Sequence, residues 1–221
     1  MIYPKIHSLW KRQGWYLEEG KKNNIDYQQG RQSFIVGDYA LPEFGIIKQW
    51  RVSEKIDGTN IRIQLRDKVS FHGRNDDSNI PKKLYHYLSN EFTYEKLDKA
   101  LEGDIASRNI WLFGEGYGAS IQSCGGNYRK DLGFMLFDVF INGWWLQQDS
   151  VQEIACKLNI PCAPTIGYMT NEEIVDYVKS KPLSLCSEDK QTMEGIVART
   201  EPVLVRRSGE PLMMKLKCKE F

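Results

Sequence analysis

The sequence has 221 residues, with 30 lysines and arginines against 29 aspartates and glutamates, a formal net charge of +1. Hydrophobic residues make up 41% and aromatic residues 12%, which suits a folded core and excludes a disordered chain. The near-neutral charge excludes a uniformly basic or acidic protein, although a local basic patch can still bind an anionic partner.

Targeting and membrane signals are missing from the sequence. No window approaches the ~18 uninterrupted apolar residues of a membrane span. Residues 1–15 carry Lys5, Lys11 and Arg12 where a signal peptide has an apolar region. The five cysteines are odd in number and include no C-x-x-C pair, so we expect neither a disulfide framework nor a zinc site. These features favour a cytoplasmic protein without membrane contact.

The first part of the chain is predicted to hold short elements followed by two strands. Residues 1–45 have weak periodicity, and we interpret them as an N-terminal extension packed on one compact domain over residues 46–221. Apolar and polar residues alternate strictly from Ile61 to Arg66, which is the pattern of a half-buried strand. Residues 68–72 form the expected return strand.

Helices and strands alternate through the rest of the chain. Residues 81–101 are helical in pattern, with an interruption expected at Ser89-Asn90. Apolar runs at 110–113 and 134–141 predict strands, and five glycines between residues 114 and 126 predict a loop.

Two helix-capping patterns follow. Ser150 is the expected cap of a helix over residues 151–158, and Thr170 with Glu173 predicts a capping box that opens a helix to about Lys179. Residues 194–199 and 212–216 predict further strands. The whole pattern favours an α+β domain of antiparallel sheets flanked by helices.

Residues 54–60 read Glu-Lys-Ile-Asp-Gly-Thr-Asn and are the most informative segment. Lys55 stands at a strand end, directly before the tight turn at Asp57-Gly58. A lysine can serve as a nucleophile there if its surroundings favour the loss of its proton. Asp-Gly is also a strong β-hairpin signal, so an ordinary hairpin turn is the alternative for this segment taken alone.

Four later segments favour the chemical interpretation: Phe113-Gly114-Glu115, Phe137-Asp138-Val139, Glu194-Gly195-Ile196-Val197 and Lys215-Leu216-Lys217. In this order, together with the Lys55 segment, they resemble motifs I, III, IIIa, IV and V of the covalent nucleotidyl transferases, the ATP-dependent ligases and mRNA-capping enzymes. The resemblance covers residues 51–217, about three quarters of the chain.

Within that superfamily, Glu54 and Asn60 make the sequence similar to the ATP-dependent RNA ligases, in particular the group of bacteriophage enzymes that seal nicks. DNA ligases and capping enzymes usually have arginine where Asn60 stands. The resemblance implies an ATP-grasp-like ligase adenylation domain that binds its nucleotide between two sheets.

The resemblance implies three catalytic lysines. Lys55 would attack the α-phosphate of ATP and become lysyl-AMP while pyrophosphate leaves. Lys215 and Lys217 alternate along a predicted strand, so they would project to one face and bind phosphate oxygens in the transition state.

It also implies two carboxylates with different roles. By the family pattern, Glu115 binds the ribose, whereas Glu194 contacts the nucleotide and holds a divalent cation, Mg or Mn. Magnesium keeps most of its waters and needs few carboxylates, which suits so small a ligand set.

The remaining implied nucleotide-binding residues are Glu54, Ile56, Asn60, Arg74 and Phe137. Glu54 would accept a hydrogen bond from the adenine amino group, which favours ATP over GTP. Phe137 would stack on the adenine, although a plain core residue is its alternative. Asn60 and Arg74 would contact AMP or the RNA 5′-phosphate, for which the guanidinium fork is well suited.

The implied substrates are RNA ends at a nick or break, in RNA repair in the cytoplasm (that of the host if the protein is viral). Four residues follow Lys217, so we expect no C-terminal domain, and RNA binding would fall to a partner subunit or a compact binding mode. Three alternatives stay open: a minimal DNA ligase, a capping-type nucleotidyl transferase that uses GTP, and a catalytically silent module that binds nucleotide or nucleic acid.

Overall fold

The computed structural model describes residues 1–12, 34–101, 109–123 and 125–221, and the backbone of residues 17–18 and 21–22. In chain order its strands are β1 His7–Ser8, β2 Trp10–Arg12, β3 Leu17–Glu18, β4 Lys21–Lys22, β5 Phe34–Tyr39, β6 Trp50–Lys55, β7 Thr59–Leu65, β8 Val69–His72, β9 Ile110–Gly118, β10 Leu132–Ile141, β11 Trp144–Trp145, β12 Thr165–Met169, β13 Gly195–Arg199 and β14 Met213–Lys217.

The α-helices of the same residues are α1 Lys82–Glu91, α2 Tyr94–Leu101, α3 Gly125–Tyr128, α4 Gln148–Leu158 and α5 Asn171–Lys179, and single 3-10 turns cover Pro42–Gly45 and Cys218–Glu220. No helix in the described part of the chain is both long and apolar enough to cross a bilayer.

Two five-stranded sheets form the body of the molecule. Sheet 1 has the strand order β1-β14-β13-β6-β12, and sheet 2 has the order β11-β10-β9-β7-β8. All strand pairs in both sheets are antiparallel except β1 with β14, which is parallel. The predicted α+β architecture of antiparallel sheets flanked by helices is confirmed.

Each sheet packs one face against helices and turns the other face to a shared cleft. Ile61 and Ile63 of β7 are fully buried with Leu84 of α1, as strict alternation along the strand requires. Sheet 1 packs Trp50 of β6 and Ile174 of α5 into a second core in the same way. On β6 the alternate positions Arg51, Ser53 and Lys55 line the cleft.

The chain crosses from sheet 1 to sheet 2 at Ile56-Asp57-Gly58. β6 pairs with β12 and β13, and β7 pairs with β8 and β9, so the hairpin interpretation of this turn is wrong. Gly58 is needed for close approach, since a Cβ there would lie 2.4 Å from the carbonyl oxygen of Gly116. The crossover leaves Lys55 at the end of β6, beside the cleft.

The predicted loop over residues 114–126 is wrong in its first part, because β9 continues through Gly118. Two of its glycines serve packing rather than chain reversal. A Cβ on Gly116 would lie 2.6 Å from Leu84, and one on Gly114 would lie 2.2 Å from the ring of Phe134. The core side chains thus lie directly on the backbone of β9.

The helix boundaries also differ from the sequence predictions. The 81–101 helix is broken at Phe92-Thr93 rather than at Ser89-Asn90, because the Thr93 hydroxyl accepts a hydrogen bond from the Lys96 amide, 3.3 Å away, and starts α2. Helix α4 begins at Gln148, without a side-chain cap from Ser150.

Other local predictions hold. The strand over 61–66 and its return strand are confirmed as β7 and β8, and Thr170 and Glu173 form the predicted capping box. The boundary between an extension over 1–45 and a domain over 46–221 stays a prediction, since part of residues 1–45 lies outside the described residues.

We expect Gly114→Ala to lower the free energy of unfolding by about 1–3 kcal/mol, because the new methyl group overlaps Phe134 and the Met135 carbonyl oxygen. Urea unfolding measures this change. Gly167→Ala in β12 is the matched control: it has nothing within 4 Å of a Cβ and should change the value by less than about 0.5 kcal/mol. Equal effects of the two substitutions would contradict the close packing of Phe134 of β10 on the backbone of β9.

Candidate active site

A cleft of about 790 Å³ lies between the two sheets and is lined by residues of both. All ten residues that the sequence singled out line it: Glu54, Lys55, Ile56, Asn60, Arg74, Glu115, Phe137, Glu194, Lys215 and Lys217. The structure thus brings these residues to one cavity, whereas the role of each stays a prediction.

A carboxylate held between two ammonium groups marks one end of the cleft. Glu194 Oε2 lies 2.6 Å from Lys55 Nζ, and Glu194 Oε1 lies 2.5 Å from Lys217 Nζ. The side chains of Lys55, Glu194 and Lys217 are 21%, 13% and 23% exposed, so water and salt screen these ion pairs less than surface pairs. Burial alone would raise the pKa of Glu194, but the two ammonium groups outweigh it and lower that pKa.

Strand register explains why the three lysines meet. Gly195 of β13 lies opposite Lys55 of β6 on one side and Lys217 of β14 on the other. Two residues along β14, Lys215 lies opposite Val197 and projects to the same face. Burial, together with the charges of Lys55, Lys217 and Arg74, lowers the pKa of Lys215 to about 8.

On sheet 2, Asn60 of β7 and Glu115 of β9 are paired across the two strands and both line the cleft. Burial raises the pKa of Glu115 to about 8, with a smaller contribution from Glu194, while Lys55 lowers it. Glu115 is therefore protonated near neutral pH and can donate a hydrogen bond. Asn60 Oδ1 is buried and accepts no hydrogen bond from any described residue, so it has an unused acceptor for a ligand.

Glu54 precedes the lysine and has partners that the sequence did not predict. Its carboxylate accepts hydrogen bonds from Ser184 Oγ at 2.5 Å and from the Leu185 amide at 2.7 Å. Burial raises the pKa of Glu54, although these two hydrogen bonds oppose the rise. Because each carboxylate oxygen has two lone pairs, an interaction with a nucleobase stays compatible with these contacts.

Ile56 and Arg74 occupy contrasting positions in the lining. Ile56 is buried against Tyr117, Tyr128 and Met135, and its carbonyl oxygen lies 3.4 Å from Lys55 Nζ. Arg74 is exposed after β8 and extends the positive charge of the lysine cluster toward solvent. An exposed guanidinium at the rim can meet an incoming phosphate.

Many other cleft residues were not among the predicted site residues, and Arg51, Val197, Arg199 and Tyr3 are four of them. Arg51 follows from the alternation that places Lys55 in the cleft, and Val197 and Arg199 follow from the alternation along β13. Val197 faces the cleft from sheet 1, and Phe137 faces it from sheet 2. Tyr3 also lines the cleft, but no pattern in residues 1–12 indicates this.

No cluster of three or more histidine, cysteine, aspartate or glutamate side chains that could hold a metal occurs among the described residues. A divalent cation could be held only by one or two carboxylates, of which Glu194 lies beside the lysines. This donor set suits an ion that takes most of its ligands from phosphate oxygens and water.

We expect Glu115→Gln to be more stable than the wild type at pH 8 by on the order of 1–3 kcal/mol. The difference should shrink as the pH falls toward 4.5. The pKa of Glu115 is raised to about 8 in the folded protein. Between about pH 4.5 and pH 8, the folded state therefore keeps the Glu115 proton and the unfolded state loses it. The free energy of unfolding of the wild type falls as the pH rises through this range.

Urea unfolding of both proteins at several pH values measures the difference. Glu188→Gln, at an exposed carboxylate outside the cleft, is the control. A constant gap between wild type and Glu115→Gln across this range would contradict a buried, protonated Glu115.

Comparison with known proteins places the fold. The sequence model of the RNA ligase family matches residues 48–217, more than half of the chain. No curated protein matches the chain in sequence.

Several solved structures of Naegleria gruberi RNA ligase match the chain in fold. A mutant with ATP and Mn has 20% identity and a TM-score of 0.57, over 80% of this chain and 52% of that one. A mutant with AMP and Mn has 20% identity and a TM-score of 0.58, over 80% and 52%.

The same ligase with PPi has 21% identity and a TM-score of 0.55, over 77% of this chain and 49% of that one. The chain thus spans about half the length of these neighbours, and at this identity the likeness shows a shared nucleotidyl transferase fold. The match of the family model over residues 48–217 goes further, and the chain belongs to the RNA ligase family.

Proposed function

We propose that this chain is an ATP-dependent RNA ligase that works through a covalent lysyl-AMP on Lys55. The observation that carries the proposal is the position of Lys55 Nζ, in the cleft at 2.6 Å from Glu194, with Lys215 and Lys217 on the same face. Several cations around one lysine and one carboxylate suit a triphosphate, whose negative charge they would offset.

In the proposed first step, Lys55 Nζ attacks the α-phosphorus of ATP. A nitrogen–phosphorus bond forms, the bond to the β-phosphate oxygen breaks, and pyrophosphate leaves with the bonding electrons. The proton of Nζ has to leave before the attack, and water can accept it, since the Lys55 side chain is 21% exposed. Lys215 and Lys217 would offset the charge on the reacting phosphates.

A divalent cation, Mg or Mn, fits the donor set beside the lysines. Glu194 would hold it together with phosphate oxygens, which requires at least one of the two ammonium groups to release the carboxylate. Such an ion neutralises phosphate charge and assists the departure of pyrophosphate. The Naegleria ligase structures with ATP and Mn, AMP and Mn, and PPi support this choice of nucleotide and ion by analogy.

The nucleoside would lie along sheet 2. Glu115 and Asn60 are adjacent across two strands, and a protonated carboxyl beside an unused amide oxygen suits the donors and acceptors of ribose hydroxyls. The adenine would lie between Phe137 and Val197, with Glu54 accepting from its amino group. Arg74 at the rim would contact AMP or the RNA 5′-phosphate.

In the later steps AMP would pass from Lys55 to an RNA 5′-phosphate, and an RNA 3′-hydroxyl would then displace AMP and close the strand. Such a reaction belongs to RNA repair in the cytoplasm. We include in the proposal a partner subunit that supplies part of the RNA-binding surface. Asn60 in place of arginine argues against a DNA ligase, and Glu54 argues against GTP and hence against a capping enzyme.

We expect Lys55→Ala to abolish transfer of label from α-labelled ATP to the protein, because no other group stands in the place of the nucleophile. A denaturing gel after incubation with Mg or Mn measures this. Lys130→Ala, which removes an exposed lysine paired with Asp189, should label like the wild type. A labelled Lys55→Ala protein would overturn the assignment, label from GTP alone would indicate a capping-type enzyme, and tight ATP binding without label would indicate a silent module.

For the nucleic acid, we expect the adenylylated protein to act on RNA ends at least about tenfold faster than on DNA ends of the same sequence, since a 2′-hydroxyl lets a protein tell RNA from DNA. Nicked duplexes with an RNA or DNA 3′-hydroxyl strand provide the comparison. Transfer of AMP to the 5′-phosphate without joining would support the partner subunit. Faster joining of DNA would indicate a minimal DNA ligase.

A further inference from the structure

Residues 1–6 form an N-terminal segment that lies along the cleft. All six line the cavity. At one end the segment continues into β1, where Ser8 pairs with Lys215 of sheet 1. At the other end the carbonyl oxygen of Met1 accepts a hydrogen bond from Arg62 of sheet 2, at 2.8 Å. The segment therefore spans the space between the sheets.

Tyr3 is the residue of this segment that contacts both sheets. Its ring packs on the cleft face of sheet 2, with centroid distances of 4.9 Å to Phe113, 5.1 Å to Phe137 and 6.0 Å to Trp145. The contacts to Phe137 and Trp145 are edge-on, an arrangement that aromatic pairs prefer. Tyr3 therefore restrains Phe137, the ring proposed to stack on the base.

The hydroxyl of Tyr3 joins a buried ion pair between the sheets. It donates to Asp138 Oδ2 at 2.5 Å, and Asp138 Oδ1 accepts from Arg199 Nη1 at 2.5 Å. Asp138 belongs to β10 of sheet 2 and is fully buried, and Arg199 belongs to β13 of sheet 1. Burial and the Asp138 charge hold the pKa of Tyr3 well above its usual value, so the hydroxyl keeps its proton and donates.

A β-bulge in β10 places two consecutive side chains, Phe137 and Asp138, against Tyr3. The pairing of β10 with β9 shifts register between Leu136 and Asp138. Leu136 and Val139 are buried in the helix-side core, whereas Phe137 and Asp138 between them both contact Tyr3 on the cleft side. An extra residue in one strand has this effect because it interrupts the alternation of faces.

The contact of Tyr3 with Asp138 and Arg199 lies away from Lys55 along the cleft. Arg199 of β13 lies opposite Arg51 of β6, four residues before Lys55. At ~3.3 Å per residue, the backbone of Arg51 is about 13 Å along the strand from the backbone of Lys55. Phe137, the ring proposed to stack on the base, is in contact with Tyr3. Lys215 is nearer to Tyr3, because it lies two residues along β14 from Met213, whose Sδ is 3.5 Å from the Tyr3 hydroxyl.

We propose that Tyr3 is a positioning residue for the nucleobase, fixing the ring of Phe137 and the separation of the two sheets where the base enters. The inference rests on the proposed function of the same cleft. Tyr3 performs no chemistry, so its removal should weaken ATP binding and leave the adenylylation rate at saturating ATP nearly unchanged. Residues 1–6 thus form a wall of the nucleotide site.

The test compares Tyr3→Ala, Tyr3→Phe and the control Tyr85→Ala, at a tyrosine of α1 that is 50% exposed. We expect Tyr3→Ala to raise the KM for ATP in self-adenylylation by about tenfold and to change the maximal rate by less than about threefold. Tyr3→Phe keeps the ring contacts and should restore KM to within about threefold of the wild type, and Tyr85→Ala should match the wild type.

A Tyr3→Ala protein with unchanged KM, or with a reduced maximal rate at unchanged KM, would overturn the inference, whatever its melting temperature. If the wild type takes up no label, the proposed function fails separately. The dissociation constant for ATP then decides the inference: a tenfold increase in Tyr3→Ala supports it, and equal values overturn it. Should Tyr3→Ala not fold, Tyr3→Leu is measured in the same way.

Discussion

A single carboxylate between two ammonium groups organises the reactive end of this molecule. Glu194 precedes β13, and its oxygens contact Lys55 at the end of β6 and Lys217 at the end of β14. Without that carboxylate, three partly buried lysines would repel one another, and charge removed from water needs a partner. Lys215 lies two residues before Lys217 on β14. The cluster of Lys55, Lys215, Lys217 and Glu194 therefore keeps an excess of positive charge. A triphosphate is the kind of ligand that would offset it.

The separation of the two sheets is fixed at both ends of the cleft by different means. At the reactive end, the short crossover at Ile56–Gly58 connects the sheets directly. At the other end, the buried pair of Asp138 and Arg199 connects them, and Tyr3 completes its hydrogen bonds. Breaking a buried pair of this kind leaves an uncompensated charge, so it holds its geometry strongly.

The sequence predicted those features that depend on nearby residues or on ordered motifs. Alternation identified β7, and the Thr170 capping box identified α5. The five short motifs identified nine of the residues that line the cleft, among them Lys55 and Glu194. The loop expected over 114–126 failed because Gly114 and Gly116 accommodate side chains from distant elements, which no local pattern reveals. Tyr3 escaped for the same reason: Asp138 lies 135 residues away along the chain, and only the folded structure brings the two together.

The most direct test of this account is to map the adenylate. The wild-type protein is incubated with ATP and Mg or Mn and digested, and tandem mass spectrometry then locates any AMP bonded through phosphoramide to a lysine. The account predicts that AMP is found on the peptide containing Lys55, at the Lys55 side chain. AMP on Lys215, Lys217 or a surface lysine, or no adduct on a protein that binds ATP, would contradict it.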